Sequence, residues 1–465
     1  MCGKIFDTFF SDDERSAGVL MHISSLPSKY GIGTFGKDAY EFVDFLRVSG
    51  QRYWQILPMC PVGEGNSPYK SFSAYAGNPY FIDLDLLCDE GLIEADLLNE
   101  FEFGEDETKV DYTLLECNRL KVLRLAYENF DRHNHKHFEK FCTDESFWLD
   151  DYAMFMALKK YFNDISWYEF PEDIRYREKN ALLHYKNILQ YNIGFFKFLQ
   201  FEFSKQWFAL KAYANKSGVQ IIGDLPIYVA LDSVDTWCNT KIFKLDENLQ
   251  PKFVAGCPPD AFSKSGQLWG NPVYDWKYLE STNFKWWIQR IKYNQKMFDV
   301  IRIDHFRGFE SYYEIPFVLH DAAKGEWVKG PSERFFLKVK EKLGNVNVIA
   351  EDLGFVTKDV KELLSKTGFA GMKILQFAFD MSGKSDILPH NLHRNSIVYT
   401  GTHDNETLIG WSKSTNVNIL NFAKEYMHIR DNEKINWGLI RLAYMGVNAV
   451  SIVQMQDFLG LDNVA

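Results

Sequence analysis

Three short stretches of this chain end an apolar run in side chains that can do chemistry. The first is Val300-Ile301-Arg302-Ile303-Asp304. In an extended strand the period of two sets Arg302 and Asp304 on one face and Ile301 and Ile303 on the other. An arginine within a few ångströms lowers an aspartate pKa by about 1 to 3 units, so the pair predicts an ionised Asp304 suited to nucleophilic attack. Alone, it would serve equally well as a structural ion pair. The second stretch is Val348-Ile349-Ala350-Glu351-Asp352. It delivers an acid to a strand end, and the pattern leaves open which of Glu351 and Asp352 points inward. The third, Tyr399-Thr400-Gly401-Thr402-His403-Asp404-Asn405-Glu406, sets a polar cluster directly after an apolar run. Alone it would read as a loop or cap interaction. Together, two carboxylates for covalent and acid/base work plus a third group to grip hydroxyls suit glycosyl transfer. On neighbouring strands, roughly 5 Å apart, Asp304 and Glu351 would stand near the about 5 to 5.5 Å separation of retaining glycosidases.

Groups so far apart in the chain need a scaffold that brings strand ends together. Eight apolar strands are expected, starting near 18, 53, 219, 299, 347, 372, 397 and 449. Helical patterns fall between several of them. Ala39, Phe42, Val43 and Leu46 recur at i, i+3, i+4 and i+7 before Gly50, and Phe284, Trp287, Ile288 and Ile291 repeat the spacing. Another helix is predicted from about 357 to 366. Eight strands alternating with helices predict an α/β fold, a (β/α)8 TIM barrel with helical and loop insertions, whose functional groups sit where strands run into their following loops. A doubly wound open sheet is the structural alternative. The count of eight and the lack of GxGxxG after the first strand favour the barrel. The predicted organisation is a first part of the barrel over 1–87, a mainly helical insertion over 88–217, and the remainder over 218–465, including a Gly/Pro/Ser-rich loop over 254–276.

Composition narrows the function classes. Lys and Arg number 52 against 63 Asp and Glu, a formal charge of −11, which argues against a partner with a phosphate backbone. Seven cysteines (2, 60, 88, 117, 142, 238 and 257) are odd in number and include no CxxC pair, which argues against a disulfide framework and a zinc cluster and for a reducing, cytoplasmic compartment. The first eighteen residues are too charged for a signal-peptide core, and no run approaches the roughly 18 apolar residues of a membrane span. Aromatic residues make up 16% of the chain. Most of them are expected in the core, and some are expected to stack on sugar rings.

The blocks GVLMHISSLPSKYGIGTFG, WQILPMCPVG, SPYKSFSAYAGNPY, GDLPIYVALDS, VAGCPPDAFSKSGQLWGNPVY, IRIDHFRG, IAEDLG and YTGTHDNET occur in this order along nearly the whole chain. On them the chain resembles the amylomaltase (4-alpha-glucanotransferase) family, of the glycoside hydrolase family 77 type. The resemblance implies that Asp304 is the nucleophile, Glu351 the general acid/base, and Asp404 the group that binds and distorts the donor sugar. Arg302 would orient Asp304, and His403 would contact the same sugar. Tyr69 would stack on the donor ring, Asp224 would lie near the site, and His305 would join the substrate-binding set. The 254–276 loop, including Gln267 and Trp269, resembles a family lid over the acceptor side, and its Phe262 and Trp269 are expected to serve as apolar cover that excludes water.

The activity so implied moves an α-1,4-glucan segment from a maltooligosaccharide donor to the 4-hydroxyl of an acceptor sugar or glucose by double displacement, with no cofactor and no metal, and with neither nucleic acid nor membrane as partner. An amylase-like hydrolase and a catalytically silent glucan-binding protein are the alternatives. The resemblance also implies a segment after the eighth strand with an Arg-Met-Asn motif, a Pro-Gly turn and a tryptophan; its donor-site contacts fall beyond Ala465, the last residue of this sequence.

Overall fold

The computed structural model describes residues 4–464 except 11–13, 105, 107, 131–135, 260–263, 381 and 431. Twelve strands are formed among them: β1 (Ser16–Leu20), β2 (Tyr53–Gln55), β3 (Gln220–Leu225), β4 (Phe253–Cys257), β5 (Gln267–Pro272), β6 (Val300–Ile303), β7 (Ser311–Pro316), β8 (Glu326–Lys329), β9 (Val348–Ala350), β10 (Ala370–Ile374), β11 (Ser396–Tyr399) and β12 (Val450–Gln454). Eight of them close into a parallel barrel in the order β1-β12-β11-β10-β9-β6-β3-β2, with β2 returning to β1. These are the eight strands expected from the sequence. The fold is a (β/α)8 barrel.

Alternation along each strand builds two shells. Leu20, Ile222, Val300, Ile349, Met372, Ile397 and Ile452 pack together inside the barrel. Their neighbours Ile221, Ile301, Ile303, Val398 and Val453 are buried outward. Each fully buried Ile or Val contributes about 1.5 to 3 kcal/mol, so a register slip of one residue would forfeit both shells at once. Close packing of β1 against β2 requires glycine: a Cβ on Gly18 would come within 2.6 Å of the Tyr53 side chain.

The predicted helices form as Lys37–Val48, Lys285–Met297 and Lys358–Thr367. Ala39, Phe42, Val43 and Leu46 are the buried face of the first, and Gly50 follows it at φ 73°. Between 88 and 217 the described elements are all helical, the longest being Gln190–Lys216. That helix carries Phe195, Phe198, Phe203 and Trp207 into one continuous core with Trp54 of β2.

One expectation is overturned. The segment 254–276 is not an open loop: β4 and β5 pair antiparallel within it, and they join β7 and β8 in a second sheet of order β5-β4-β7-β8. Its glycines and prolines suggested turns, yet Val254 and Ala255 are buried and their backbone groups are met by β7. The stretch between β6 and β9 supplies β7 and β8. Phe262 lies outside the described residues. No helix among the described residues is long and apolar enough to cross a membrane, and the described cysteines form no disulfide.

Candidate active site

The site stands at the carboxyl ends of the barrel strands because each functional side chain continues an inward-facing register. Asp224 of β3 is the register partner of Arg302 of β6, and Arg302 is in turn the partner of Ile349 of β9. The ladder runs on past the strand ends: Asp304 N–H donates to Leu225 O at 3.1 Å and Glu351 N–H to Ile303 O at 3.1 Å. Ile349 faces inward, so Glu351 two residues on does too. Asp352 turns outward and accepts from Met372 N–H at 2.7 Å and Lys373 Nζ at 3.1 Å. The sequence left this pair undecided; the barrel assigns Glu351 to the cleft.

Arg302 is the hub. Its Nη1 donates to Asp224 Oδ2 at 2.5 Å and Asp304 Oδ1 at 3.1 Å, and its Nη2 to Glu351 Oε2 at 2.9 Å. It is 1% exposed, and its carboxylate neighbours hold it protonated. One cation among three buried carboxylates cannot neutralise them all, so a proton must be retained. Burial pushes Asp304 well above the usual carboxylate range, and adjacent Glu351, to which it is hydrogen-bonded, adds to the rise. Burial opposes the charge on Glu351 as well, but Arg302, the bond with Asp304 and the N–H of His305, donating at 2.8 Å, together hold its pKa below the ordinary value. Arg302 gives its shorter contacts to Asp224 and Glu351, so burial and the neighbouring Glu351 raise the Asp304 pKa against the lowering expected from the Arg302 pair alone. His305 holds this geometry at φ 51°, a left-handed conformation that costs a non-glycine residue about 1 to 3 kcal/mol and clusters at functional sites.

Beside the hub, the Tyr69 hydroxyl lies 2.8 Å from Asp224 Oδ2 and 2.7 Å from His403 Nε2. Its ring stacks on the imidazole at 5.4 Å and 8°. Burial and the Arg302 charge lower the His403 pKa to about 4, so the ring is neutral above that pH. Tyr69 must donate its one proton to acceptor-only Asp224, which assigns the imidazole proton to Nε2, shared between the Tyr69 oxygen and Asp404 Oδ2 at 3.4 Å. Asp404 itself reaches out, with two-thirds of its side chain exposed.

A cleft of about 980 Å³ brings Tyr69, Gln267, Trp269, Asp304, His305, Glu351 and Asp404 together. The side chains of Asp224 and Arg302, expected in the substrate-binding set, are 0% and 1% exposed and lie beneath its floor. They reach a ligand only through their neighbours. Trp269 of β5 meets the His305 ring edge-on at 4.9 Å and donates to Gln267 Oε1 at 2.9 Å.

Several participants escaped the sequence reading. Gln376 lines the cleft and donates to Glu406 O at 2.7 Å, steadying the loop that carries Asp404. Asp457, wholly buried, accepts from Thr400 Oγ1 at 2.6 Å and Leu408 N–H at 2.7 Å, at both ends of that loop. Asn463 accepts from Thr407 N–H at 3.0 Å and donates to Glu406 at 2.8 Å. These residues lack any local motif, since their partners are 30 to 57 positions away.

A family profile described as 4-alpha-glucanotransferase matches residues 21–465. The chain is 52% identical over 447 residues to the 4-alpha-glucanotransferase of Clostridium butyricum, covering 96% of this chain and 92% of that one. It is 43% identical to that of Thermus thermophilus, covering 97% and 91%. Among solved structures, the amylomaltase from Streptococcus agalactiae in complex with acarbose superposes with a TM-score of 0.95 at 45% identity, over 97% of this chain and 92% of that one.

Proposed function

Because this chain belongs to the 4-alpha-glucanotransferase family, and is a glycosyl-transferring enzyme of that type, we propose that Asp304 and Glu351 carry the transfer and that Asp404 holds the donor sugar. The observation that supports this assignment is the Arg302 hub, which leaves the two facing carboxyls one proton and one negative charge between them. Double displacement needs that combination: one group must attack and the other must protonate.

In the first step the glycosidic oxygen of a maltooligosaccharide lies over Glu351. The shared proton crosses the hydrogen bond from Asp304 to Glu351, and Asp304 becomes the anion. An Asp304 oxygen attacks the anomeric carbon, the bond to the leaving 4-oxygen breaks, and that oxygen takes the proton from Glu351. In the second step Glu351 removes the proton from the 4-hydroxyl of an acceptor sugar or glucose, whose oxygen displaces Asp304 and restores the α-1,4 bond. Arg302 stays charged throughout and stabilises whichever carboxylate is ionised. Neutral His403 holds Tyr69 and Asp404 in place through its Nε2–H, and Tyr69 presents its ring to the donor sugar. The amylomaltase from Streptococcus agalactiae was solved in complex with acarbose, which supports the binding of α-glucan substrates by this chain. Trp269 and Gln267 on β5 cover the acceptor side and exclude water. We place the reaction in the cytoplasm, in keeping with the reducing compartment suggested by cysteines that are odd in number and form no CxxC pair.

Incubation of the protein with maltotriose tests the reading. Transfer yields glucose together with oligosaccharides longer than the substrate. A ladder of shorter sugars alone would identify a hydrolase, and binding without turnover a silent glucan-binding protein.

A further inference from the structure

On the wall of the cleft away from Asp404, a buried arginine holds an aromatic ring still. Arg307 is 4% exposed, its guanidinium carbon lies 3.7 Å from the centre of the Trp327 ring, and it donates to Ser311 Oγ at 3.0 Å and to the Phe355 carbonyl. Trp327 is the register partner of Tyr313 across β7 and β8, and the two rings meet edge-on at 5.1 Å. One face and one edge of the indole are thus occupied. The ring is nevertheless 40% exposed and lines the same cleft as Asp304 and Glu351, and Phe355, whose backbone the same arginine holds, is 47% exposed beside it.

A rigid aromatic face that opens into a polar cleft has lost its side-chain entropy before any ligand arrives. Its π face favours the C–H-rich face of a pyranose. We propose that Trp327, with Phe355 at its flank, is a stacking platform for an acceptor glucan, taking a glucose unit beyond the one whose 4-hydroxyl reacts. The first acceptor sugar meets Glu351, His305 and Trp269. Arg307 follows His305 by two residues on the same loop and carries the contact outward to β8. The platform therefore favours oligosaccharides over glucose as acceptors, and the antiparallel sheet β5-β4-β7-β8 exists as a wall along the acceptor path. This inference rests on the transfer reaction proposed above.

The test is an internal competition. The donor is α-maltosyl fluoride lacking its terminal 4-hydroxyl, which can donate but cannot accept. Equimolar glucose and maltotetraose compete for it, and early deoxymaltosyl products are counted by mass. Their ratio is the ratio of kcat/KM for the two acceptors and is independent of the donor step. The wild type is expected to favour maltotetraose. Trp327→Leu, which keeps bulk beneath Arg307 but removes the ring face, is expected to reduce that preference about tenfold, the upper range for an aromatic contact. Trp327→Tyr, which keeps a face, should retain most of it. A Trp327→Leu protein of wild-type melting temperature and unchanged product ratio would overturn the platform. If that variant does not fold, Phe355→Ala on the exposed loop takes its place, with a fall of about threefold expected and an unchanged ratio overturning the proposal. A wild type that forms no deoxymaltosyl product with either acceptor would instead defeat the transfer reading itself.

Discussion

The backbone N–H of His305 and the Arg302 guanidinium converge on Glu351, and both stabilise its anion. Glu351 accepts from Arg302 and from His305 on the same Oε2 atom, while Asp304 has a single 3.1 Å contact with an Arg302 nitrogen that is also bound to Asp224. These contacts favour the anion on Glu351, and in the mechanism proposed above the first step transfers the proton back to it.

The pH profile follows from this. Glu351 is lowered, so the pair keeps one negative charge down to pH values below the usual glutamate range, and activity falls only as pH drops through that lowered value. Asp304 is raised, so the pair keeps its one proton well above the usual aspartate range, and activity falls again as pH rises through it. The kcat/KM profile is expected to be a bell wider than unperturbed carboxyl values allow. A profile with no basic limb above the ordinary aspartate range would count against a shared proton.

Asp304→Asn is expected to abolish transfer, by a factor of 10⁴ or more on the order of other nucleophile deletions, while leaving maltooligosaccharide binding largely intact. Isothermal titration with maltotetraose beside a product assay separates the two effects. Wild-type rates in a clean preparation would remove Asp304 from the role.

Glu351→Gln is expected to block turnover of natural sugars yet still load a donor with a good leaving group, whose departure needs little protonation. Mass spectrometry should show a trapped glycosyl adduct. Asp352→Asn should not trap one, because its carboxylate faces Met372 and Lys373 rather than the cleft. The reverse pattern would exchange the two assignments.

Trp269→Ala should raise the share of free reducing ends per bond cleaved, because it removes the cover on the His305 ring and admits water to the glycosyl-enzyme. The measurement is reducing sugar against total donor consumed. An unchanged share would place the water barrier elsewhere on the wall.

Burial raises the Asp457 pKa from 3.8 to about 6. The folded form thus binds a proton more tightly than the unfolded chain, so the associated stability is complete below the unfolded value and is lost as pH rises through about 6. At 1.36 kcal/mol per unit this amounts to roughly 3 kcal/mol at most. The melting temperature of Asp457→Asn should fall less steeply between pH 4 and pH 7 than that of the wild type, as calorimetry at several pH values would show. Equal slopes would mean that the unfolded chain titrates in the same way.

The eight barrel strands and the inward setting of Arg302 and Asp304 were legible in the sequence because they depend on local periodicity. Ile301 and Ile303 must be buried outward, and a period of two then leaves their neighbours no other face. The second sheet was not legible, since β4, β5 and β8 carry the glycines, prolines and charges of loops; only their pairing in the order β5-β4-β7-β8 makes them strands. Nor was the choice between Glu351 and Asp352, adjacent acids whose directions depend on where β9 ends. Trp327 gave no signal in a charged segment, because its stillness comes from an arginine twenty positions earlier. Above all, the charge state of the site belongs to the tertiary structure. Residues 224, 302, 304 and 351 each have a fixed chemical type in the chain, but burial and the competition for one guanidinium exist only after the barrel closes. A carboxyl's pKa is set by how much water it has lost and which charges remain beside it, and neither is a property of the residues next to it in sequence.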